Sequence, residues 1–392
     1  MTITRVVLTA VSVAVASFSA LAGGPDRFAS GSSGGFTWQA ASSVVGVTST
    51  GTIASGGSPT YLPTFPAYSG VVGLLLDFGP SGAFVCSDSL LPDRQSILTA
   101  AHCVTEGLSL SKPIATTAFF NDGSGLGADT VVYNAPVAGV TTVAGGQIFV
   151  NPAYTGQVID QNDIAVIRLS APALAFAPSY QLYTGPLSGT NLNVAGYGAR
   201  SNAGGNVGAN LGTGRLRQGD NRYDLRFGDA DFAGFFTTID PVTGLRFFDS
   251  AGKPSATVDF SWVTDFDNGL AANDASCVLA AAFSLGGAKY CNLGRGASEA
   301  TTAGGDSGGP QFVNGQIASV TSYGLSFGNV AADGGGDLDA ALNSTFGEFG
   351  GYVPVSIHTA FINATLVPEP STYALLALGL LAVGARVKPR KA

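Results

Sequence analysis

Three short stretches carry the side chains that acyl transfer uses. Ser307 lies in Gly304-Gly305-Asp306-Ser307-Gly308-Gly309-Pro310. Flanking glycines let the backbone take the unusual angles of a tight exposed turn. The same run would let the amides of Gly305 and Ser307 point into one small space, as a developing oxyanion requires. A hydroxyl is a poor nucleophile at neutral pH and needs a base within hydrogen-bond reach. The chain has two histidines, and His102, in Leu98-Thr99-Ala100-Ala101-His102-Cys103, is the candidate. A base also needs an acid to fix its tautomer and stabilise the imidazolium. Asp163 opens the apolar run Ile164-Ala165-Val166-Ile167, so its carboxylate belongs at the edge of a buried region. Singly, each has an ordinary reading: a surface turn in a chain with 55 glycines, a structural histidine, a turn-capping acid. Together they describe a nucleophile, a base and an orienter.

The elements that would position these residues read as strands. Residues 71–76, 83–86, 96–100, 130–133, 148–150, 164–169, 192–195, 311–313 and 317–322 are short apolar or β-branched runs separated by Gly, Pro, Asp and Ser, the pattern of strands and tight turns. A 3.6-residue apolar period appears only at residues 356–366, where it predicts one short helix. The class is therefore all-β, closed as a sandwich or barrel. Residues 23–66 are small and polar, with too little apolar surface to offset the entropy of ordering them. They read as a flexible leader or propeptide, and the folded body as residues 67–366.

At 392 residues with 45% hydrophobic content, the chain can bury a sizeable core, and its 11% charged residues suit an exported β-rich protein. Residues 1–22 combine a basic Arg5, an apolar run and Ala20-Leu21-Ala22, which predicts a signal peptide cleaved after Ala22. Near the other end, Val367-Pro368-Glu369-Pro370 leads to an apolar run over residues 373–385 and then Arg386, Lys388, Arg390 and Lys391. That run predicts a short apolar helix, marginal as a transmembrane helix because a bilayer needs about 17 residues or more. The formal charge is −8 although five of the 18 basic residues sit in these ends, which argues against nucleic acid or anionic lipid as the main partner. Four cysteines, Cys86, Cys103, Cys277 and Cys291, read as two disulfides with three possible pairings. No cofactor and no metal are expected. Asp265-Phe266-Asp267-Asn268-Gly269 and Asn121-Asp122-Gly123 have oxygen ligands at calcium-loop density, but the first lacks the register and distal Glu of an EF-hand, so both read as solvated turns.

The segments TAAHC, NDIAVIRL and GGDSGGP, in the order His, Asp, Ser, together resemble the chymotrypsin family of serine peptidases. Val194-Ala195-Gly196-Tyr197-Gly198 resembles that family's glycine-aromatic-glycine turn, and Ser322-Tyr323-Gly324 the strand that pairs with substrate backbone. The resemblance implies two six-stranded antiparallel β-barrels, about residues 67–180 and 181–366, with the active site between them. It implies His102 as general base, Asp163 as its orienter, Ser307 as nucleophile and the Gly305 and Ser307 amides as the oxyanion hole. It also implies disulfides Cys86–Cys103 and Cys277–Cys291, and a protein or peptide substrate. Residues 367–392 resemble the PEP-CTERM sorting tail of Gram-negative bacteria, which implies an exosortase-like processing enzyme as partner and delivery to the envelope or extracellular matrix. The alternative function is an inactive exported matrix or binding protein on the same fold. An esterase would want Gly-x-Ser-x-Gly and the order Ser, acid, His.

The chain departs from the family in four places. Between Gly198 and Cys277 lie 78 residues, whose excess, residues 201–273, is expected to form an ordered β-hairpin insertion near the cleft. A second insertion, residues 326–348 with Asp333, Asp337 and Asp339, is expected to rim the specificity pocket. Thr301 stands at the base of that pocket, where members that cut after Lys or Arg have Asp; with Ser322, Tyr323 and Gly324 it forms the expected substrate-binding set and favours apolar or aromatic side chains. Ala303 replaces a pocket-bracing cysteine. The family further implies that a new N-terminus pairs with the acid before the serine, Asp306; residues 44–47 and 53–57 are the candidates for it.

Overall fold

The computed structural model describes residues 28–33, 36–41, 58–105, 111–302, 304–328, 337–338 and 341–366. Its strands are β1 (Phe28–Ser33), β2 (Phe36–Ala41), β3 (Val71–Asp77), β4 (Ala83–Leu90), β5 (Ser96–Thr99), β6 (Ala115–Asn121), β7 (Val140–Val150), β8 (Ala165–Leu169), β9 (Asn191–Gly196), β10 (Arg217–Arg222), β11 (Leu225–Arg226), β12 (Trp262–Asp265), β13 (Pro310–Val313), β14 (Gln316–Gly328) and β15 (Phe349–Pro354). Two short helices are α1 (Ala275–Ala282) and α2 (Thr359–Thr365).

Strands β3 to β8 close an antiparallel barrel in the order β3-β4-β5-β8-β7-β6. Because successive side chains in a strand point to opposite faces, the apolar runs divide between two cores. Val72, Leu74, Leu76, Ile97 and Ile167 join one cluster, while Val71, Leu98 and Val166 join a second with Val320 and Val353 from the other sheet and Ile362 from α2. Strands buried on both faces explain why these runs read as continuously apolar rather than alternating.

The remaining strands form one sheet in the order β10-β9-β13-β14-β15-β12-β11, with β2 added to β14 and β1 to β2. Its ends, β10 and β11, are separated by Tyr223 and Asp224 alone, so the sheet rolls back towards itself. The mostly β, chymotrypsin-like architecture therefore stands, with one closed six-stranded barrel and a rolled nine-stranded sheet in place of a second six-stranded barrel.

Residues 28–41 depart from the expectation of a flexible leader. β2 pairs antiparallel with the far end of β14, from Ala41 opposite Gly324 to Thr37 opposite Gly328. Its side chains alternate, with Phe36, Trp38 and Ala40 buried. They pack into an aromatic cluster with Phe227, Phe232, Phe236, Phe248, Phe327 and Phe349. Composition alone missed this because the apolar surface that orders the leader belongs to residues about 200 positions later.

The first insertion is also reassigned. β10, β11 and β12 within it are strands of the sheet itself, and the intervening residues 227–261 are turns whose phenylalanines fill the aromatic cluster. Residues 130–133, read as a strand, hold a 3-10 turn at Val132–Asn134, and β6 was not anticipated. The predicted C-terminal helix is present as a 3-10 turn, Val355–His358, continuing into α2. Among the described residues no helix is long and apolar enough to cross a membrane; the predicted signal peptide and the tail with its apolar run lie outside them.

If the hairpin is part of the folded body, Trp38→Ala removes a buried aromatic and is expected to destabilise the chain by about 3–5 kcal/mol. Denaturant melts check this, and a midpoint unchanged from wild type would mean that the hairpin does not pack on the sheet.

Candidate active site

His102 sits on a 3-10 turn, Ala101–Val104, immediately after β5. The disulfide Cys86–Cys103 ties that turn to β4. Asp163 holds the histidine at two points: the His102 amide donates to Asp163 Oδ1 at 2.8 Å, and His102 Nδ1 lies 2.6 Å from Asp163 Oδ2. Ser322 Oγ donates to the same Oδ2 at 2.5 Å. Both His102 and Asp163 are buried, at 2% and 1% exposure. A carboxylate accepting three bonds has little freedom to rotate, so the ring plane is fixed from both backbone and side chain.

The loop carrying Asp163 is held in turn by groups without chemical roles of their own. Asp160 accepts from the Thr155 amide and hydroxyl at 2.8 and 2.6 Å and from the Asn162 amide at 2.8 Å. Burial pushes its carboxyl up to about 6. The second histidine, His358, lies 2.7 Å through Nε2 from the Gln161 carbonyl and 3.2 Å through Nδ1 from Asn151 Nδ2. Both ring nitrogens are thus committed, and His358 braces the segment two residues before Asp163.

Ser307 lies on a turn that docks against the first barrel through Ser87, the residue after Cys86 on β4. The Ser87 amide donates to the Ser307 carbonyl at 2.9 Å, Ser87 Oγ donates to the Gly305 carbonyl at 2.7 Å, and the Tyr197 amide donates to Ser87 Oγ at 2.8 Å. This serine was missed in the sequence, where nothing marks it apart from its position beside a cysteine. Cys103 Sγ, next to His102, is 3.6 Å from the Ser307 carbonyl oxygen. The structure thus brings the Ser307 turn against the His102 turn. Gly308 cannot be replaced freely: its φ is +78°, and a Cβ there would lie 2.3 Å from Thr99 Oγ1 and 2.6 Å from the Ser87 carbonyl. Gly305 also has positive φ, +96°.

Asp306 is fully buried and accepts from the Gly198 amide at 2.7 Å. A Cβ at Gly196 would come within 2.0 Å of Asp306 Oδ1, and one at Gly198 within 2.4 Å of its Cγ. The glycines flanking Tyr197 therefore make the seat for this carboxylate. Residues 44–47 and 53–57, the candidate termini for pairing with Asp306, lie outside the described residues.

Around the expected pocket, Thr301 is buried, and a Cβ at Gly350 would lie 3.2 Å from Thr301 Oγ1 and 2.5 Å from Tyr352 Oη. Gly350 pairs with Gly324 across β14 and β15. Gly350 and Tyr352 complete the surroundings of Thr301 and were not anticipated. Of the inserted aspartates, Asp337 accepts from Ser326 Oγ at 2.5 Å and Thr345 Oγ1 at 3.2 Å; Asp333 and Asp339 lie outside the described residues. The second disulfide, Cys277–Cys291, joins α1 to the loop before the pocket.

Residues 77–222 match the family model described as Trypsin, and residues 366–391 match the PEP-CTERM protein-sorting motif. The first match spans His102 and Asp163 and ends before Ser307. A search of curated proteins finds no match. Among solved structures, the chain is similar to neuropsin, a serine protease expressed in the limbic system of mouse brain, at 18% identity and a TM-score of 0.45, over 78% of this chain and 99% of that one. The Trypsin match supports a peptidase, and the PEP-CTERM match implies export with envelope association.

The loop before β15 also carries a titrating group. Ser344 Oγ donates to the Thr302 carbonyl at 3.2 Å, and Glu348 Oε1 accepts from the amides of Asn343 and Thr345 at 2.9 and 3.0 Å. Burial pushes the Glu348 carboxyl up from its usual 4.5 to about 8. The folded state therefore keeps a proton that the unfolded chain releases, and stability falls as pH rises between these values. Glu348→Gln keeps an oxygen for the two amides without the charge, so the variant is expected to gain stability relative to wild type from pH 5 to pH 8. Melting curves that stay parallel over that range would contradict this.

Proposed function

We propose that this chain is an exported serine endopeptidase that hydrolyses peptide bonds through an acyl-enzyme. The observation that carries the reading is the two-point hold of Asp163 on His102, with Ser322 as the third bond to the carboxylate. With Nδ1 committed to Asp163, Nε2 is the nitrogen left to accept the Ser307 proton as Ser307 Oγ attacks the substrate carbonyl. The imidazolium so formed is stabilised by the buried carboxylate and then protonates the leaving amine. The Gly305 and Ser307 amides receive the oxyanion; comparable donors are worth about 10²–10³ in rate each. Water attacks the acyl-enzyme in the second half, with His102 again as base.

An extended substrate would add to the edge of β14 at Ser322 and Tyr323 by backbone hydrogen bonds, short of the expected Gly324, which pairs with Ala41 of β2 and Gly350 of β15. The leader strand β2 takes the next positions on that edge, from Gly324 to Gly328. Substrate and leader would therefore meet at Gly324. Thr301 at the pocket base supplies no charge, which favours an apolar or aromatic side chain before the scissile bond. The tail would be the substrate of an exosortase-like enzyme, and the mature chain would act at the envelope or outside the cell.

A fluorophosphonate probe is expected to label the processed chain and to leave Ser307→Ala unlabelled. Folded protein that does not label would favour a non-catalytic matrix or binding role. Asp163→Asn is expected to lower kcat by about 10⁴ with little change in KM, because the histidine loses its tautomer control. With paired peptides, cleavage after Phe should exceed cleavage after Arg, and the reverse order would overturn the assignment of the pocket.

A further inference from the structure

The stretch Asp265-Phe266-Asp267-Asn268-Gly269 reads as a solvated turn in the sequence, but it is not solvated. Asp265, at the end of β12, and Asp267 are fully buried, and Glu299 is 2% exposed. One carboxylate oxygen from each of the three lies within 4.8 Å of the others. Each carboxylate is held from behind. Asp265 Oδ2 accepts from the Ser276 amide and hydroxyl at 3.0 and 3.1 Å, and Asp267 Oδ1 from the Gly269 amide at 2.6 Å. Glu299 accepts from the amides of Asp267 and Arg295 at 2.9 and 3.0 Å. This leaves Asp265 Oδ1 and Asp267 Oδ2 buried with no hydrogen-bond partner. Neither aspartate forms an ion pair among the described residues; Arg295, the nearest arginine in sequence to Glu299, pairs with Asp220 instead. Two further acids, Asp224 and Asp274, lie close by: Asp224 accepts from the Asp265 amide at 2.9 Å, and Asp274 caps α1.

Buried charge of one sign with orphaned oxygens is unfavourable unless something compensates it. We infer that Asp265, Asp267 and Glu299 form a calcium site that links the end of β12 to the segment entering the substrate pocket. The donor set is all oxygen, which selects a hard cation over zinc or copper. Oxygens spaced up to 4.8 Å apart suit an ion that holds its ligands at about 2.3–2.6 Å, whereas magnesium would draw them in to about 2.0–2.1 Å. A cavity of about 230 Å³ lined by Glu299, Asn268 and Tyr61, among others, opens beside the cluster and gives room for water ligands and for entry. Glu299 is two residues before Thr301, and Asn221 Nδ2 donates to both the Asp265 and Ala300 carbonyls at 2.8 and 2.9 Å. An ion here fixes the floor of the pocket through its backbone and takes no part in bond cleavage.

The test uses the full processed chain freed of metal by chelation and dialysis, with calorimetric titration and thermal melts. Calcium is expected to bind one ion per chain and, at ten times its dissociation constant, to shift the unfolding equilibrium about 11-fold towards the folded state; magnesium at the same concentration should shift it far less. Asp267→Asn keeps the bond to the Gly269 amide but removes a charge. It should abolish the calcium shift while melting, in chelator, no lower than wild type. Glu299→Gln can match only one of the two backbone amides that Glu299 now accepts from, so it should melt lower in chelator, but it too should lose the calcium shift measured against its own chelated form. Absence of calcium binding to wild type overturns the inference, as does a calcium shift that persists in both variants. These readouts are independent of catalysis.

Discussion

The structure depends on the docking of the Ser307 turn against the first barrel. Ser87 makes three hydrogen bonds there, to the Ser307 carbonyl, the Gly305 carbonyl and the Tyr197 amide. It joins β4, the serine turn and the glycine-aromatic-glycine turn in one place. These are buried polar groups, and each left unpaired would cost about 1–3 kcal/mol. The turn can approach closely enough only because Gly308 has no side chain to meet Thr99 and the Ser87 carbonyl. Mutual orientation of the two sheets, and with it the relation of Ser307 to His102, follows from that approach. Removing the glycine or the Ser87 hydroxyl would act on geometry before it acted on chemistry.

A similar logic holds on the acid side of the site. Asp163 is fixed by Ser322 from β14, by the loop that Asp160 organises, and by His358 acting through Gln161. These groups come from both sheets and from the C-terminal turn, so the carboxylate reports on the whole assembly. Under the proposed function, preorganisation of this kind would keep the histidine tautomer fixed before substrate arrives.

What the sequence disclosed and what it hid divide along a physical line. The residues proposed to carry the chemistry are legible, because Ser307, His102 and Asp163 sit in short stretches whose local composition belongs to the proposed role. The barrel strands are legible because burial on both faces leaves continuous apolar runs such as residues 71–76. Ser87 is hidden because its contacts are with residues more than 100 positions away, and a serine looks the same at a hub as on a surface. The leader hairpin is hidden for the same reason: Phe36 and Trp38 find their partners in Phe235, Phe247 and Phe248. Residues 201–273, expected as one hairpin insertion, hold strands of the sheet itself, and the first of them, β10, is polar enough to resemble loop. Local polarity in Arg217-Gln218-Gly219-Asp220-Asn221-Arg222 conceals a strand whose partner, β9, supplies the apolar surface.

The leader changes how the cleft should be regarded. An exposed edge of β14 would be a template for unwanted strand pairing, and covering it is the ordinary remedy. Here the cover is a hairpin of the same chain, and its aromatic side chains belong to the core rather than to a detachable flap. Removing it would uncover Phe327 and the phenylalanines of residues 227–261 along with the edge. The pairing also stops at Ala41, opposite Gly324, so Ser322 and Tyr323 are not paired with the leader. Antiparallel strand addition requires that next stretch of edge and no more. The leader thus supports the sheet, and under the proposed function the length of β14 that it leaves unpaired, Ser322 and Tyr323, is what a substrate strand would use.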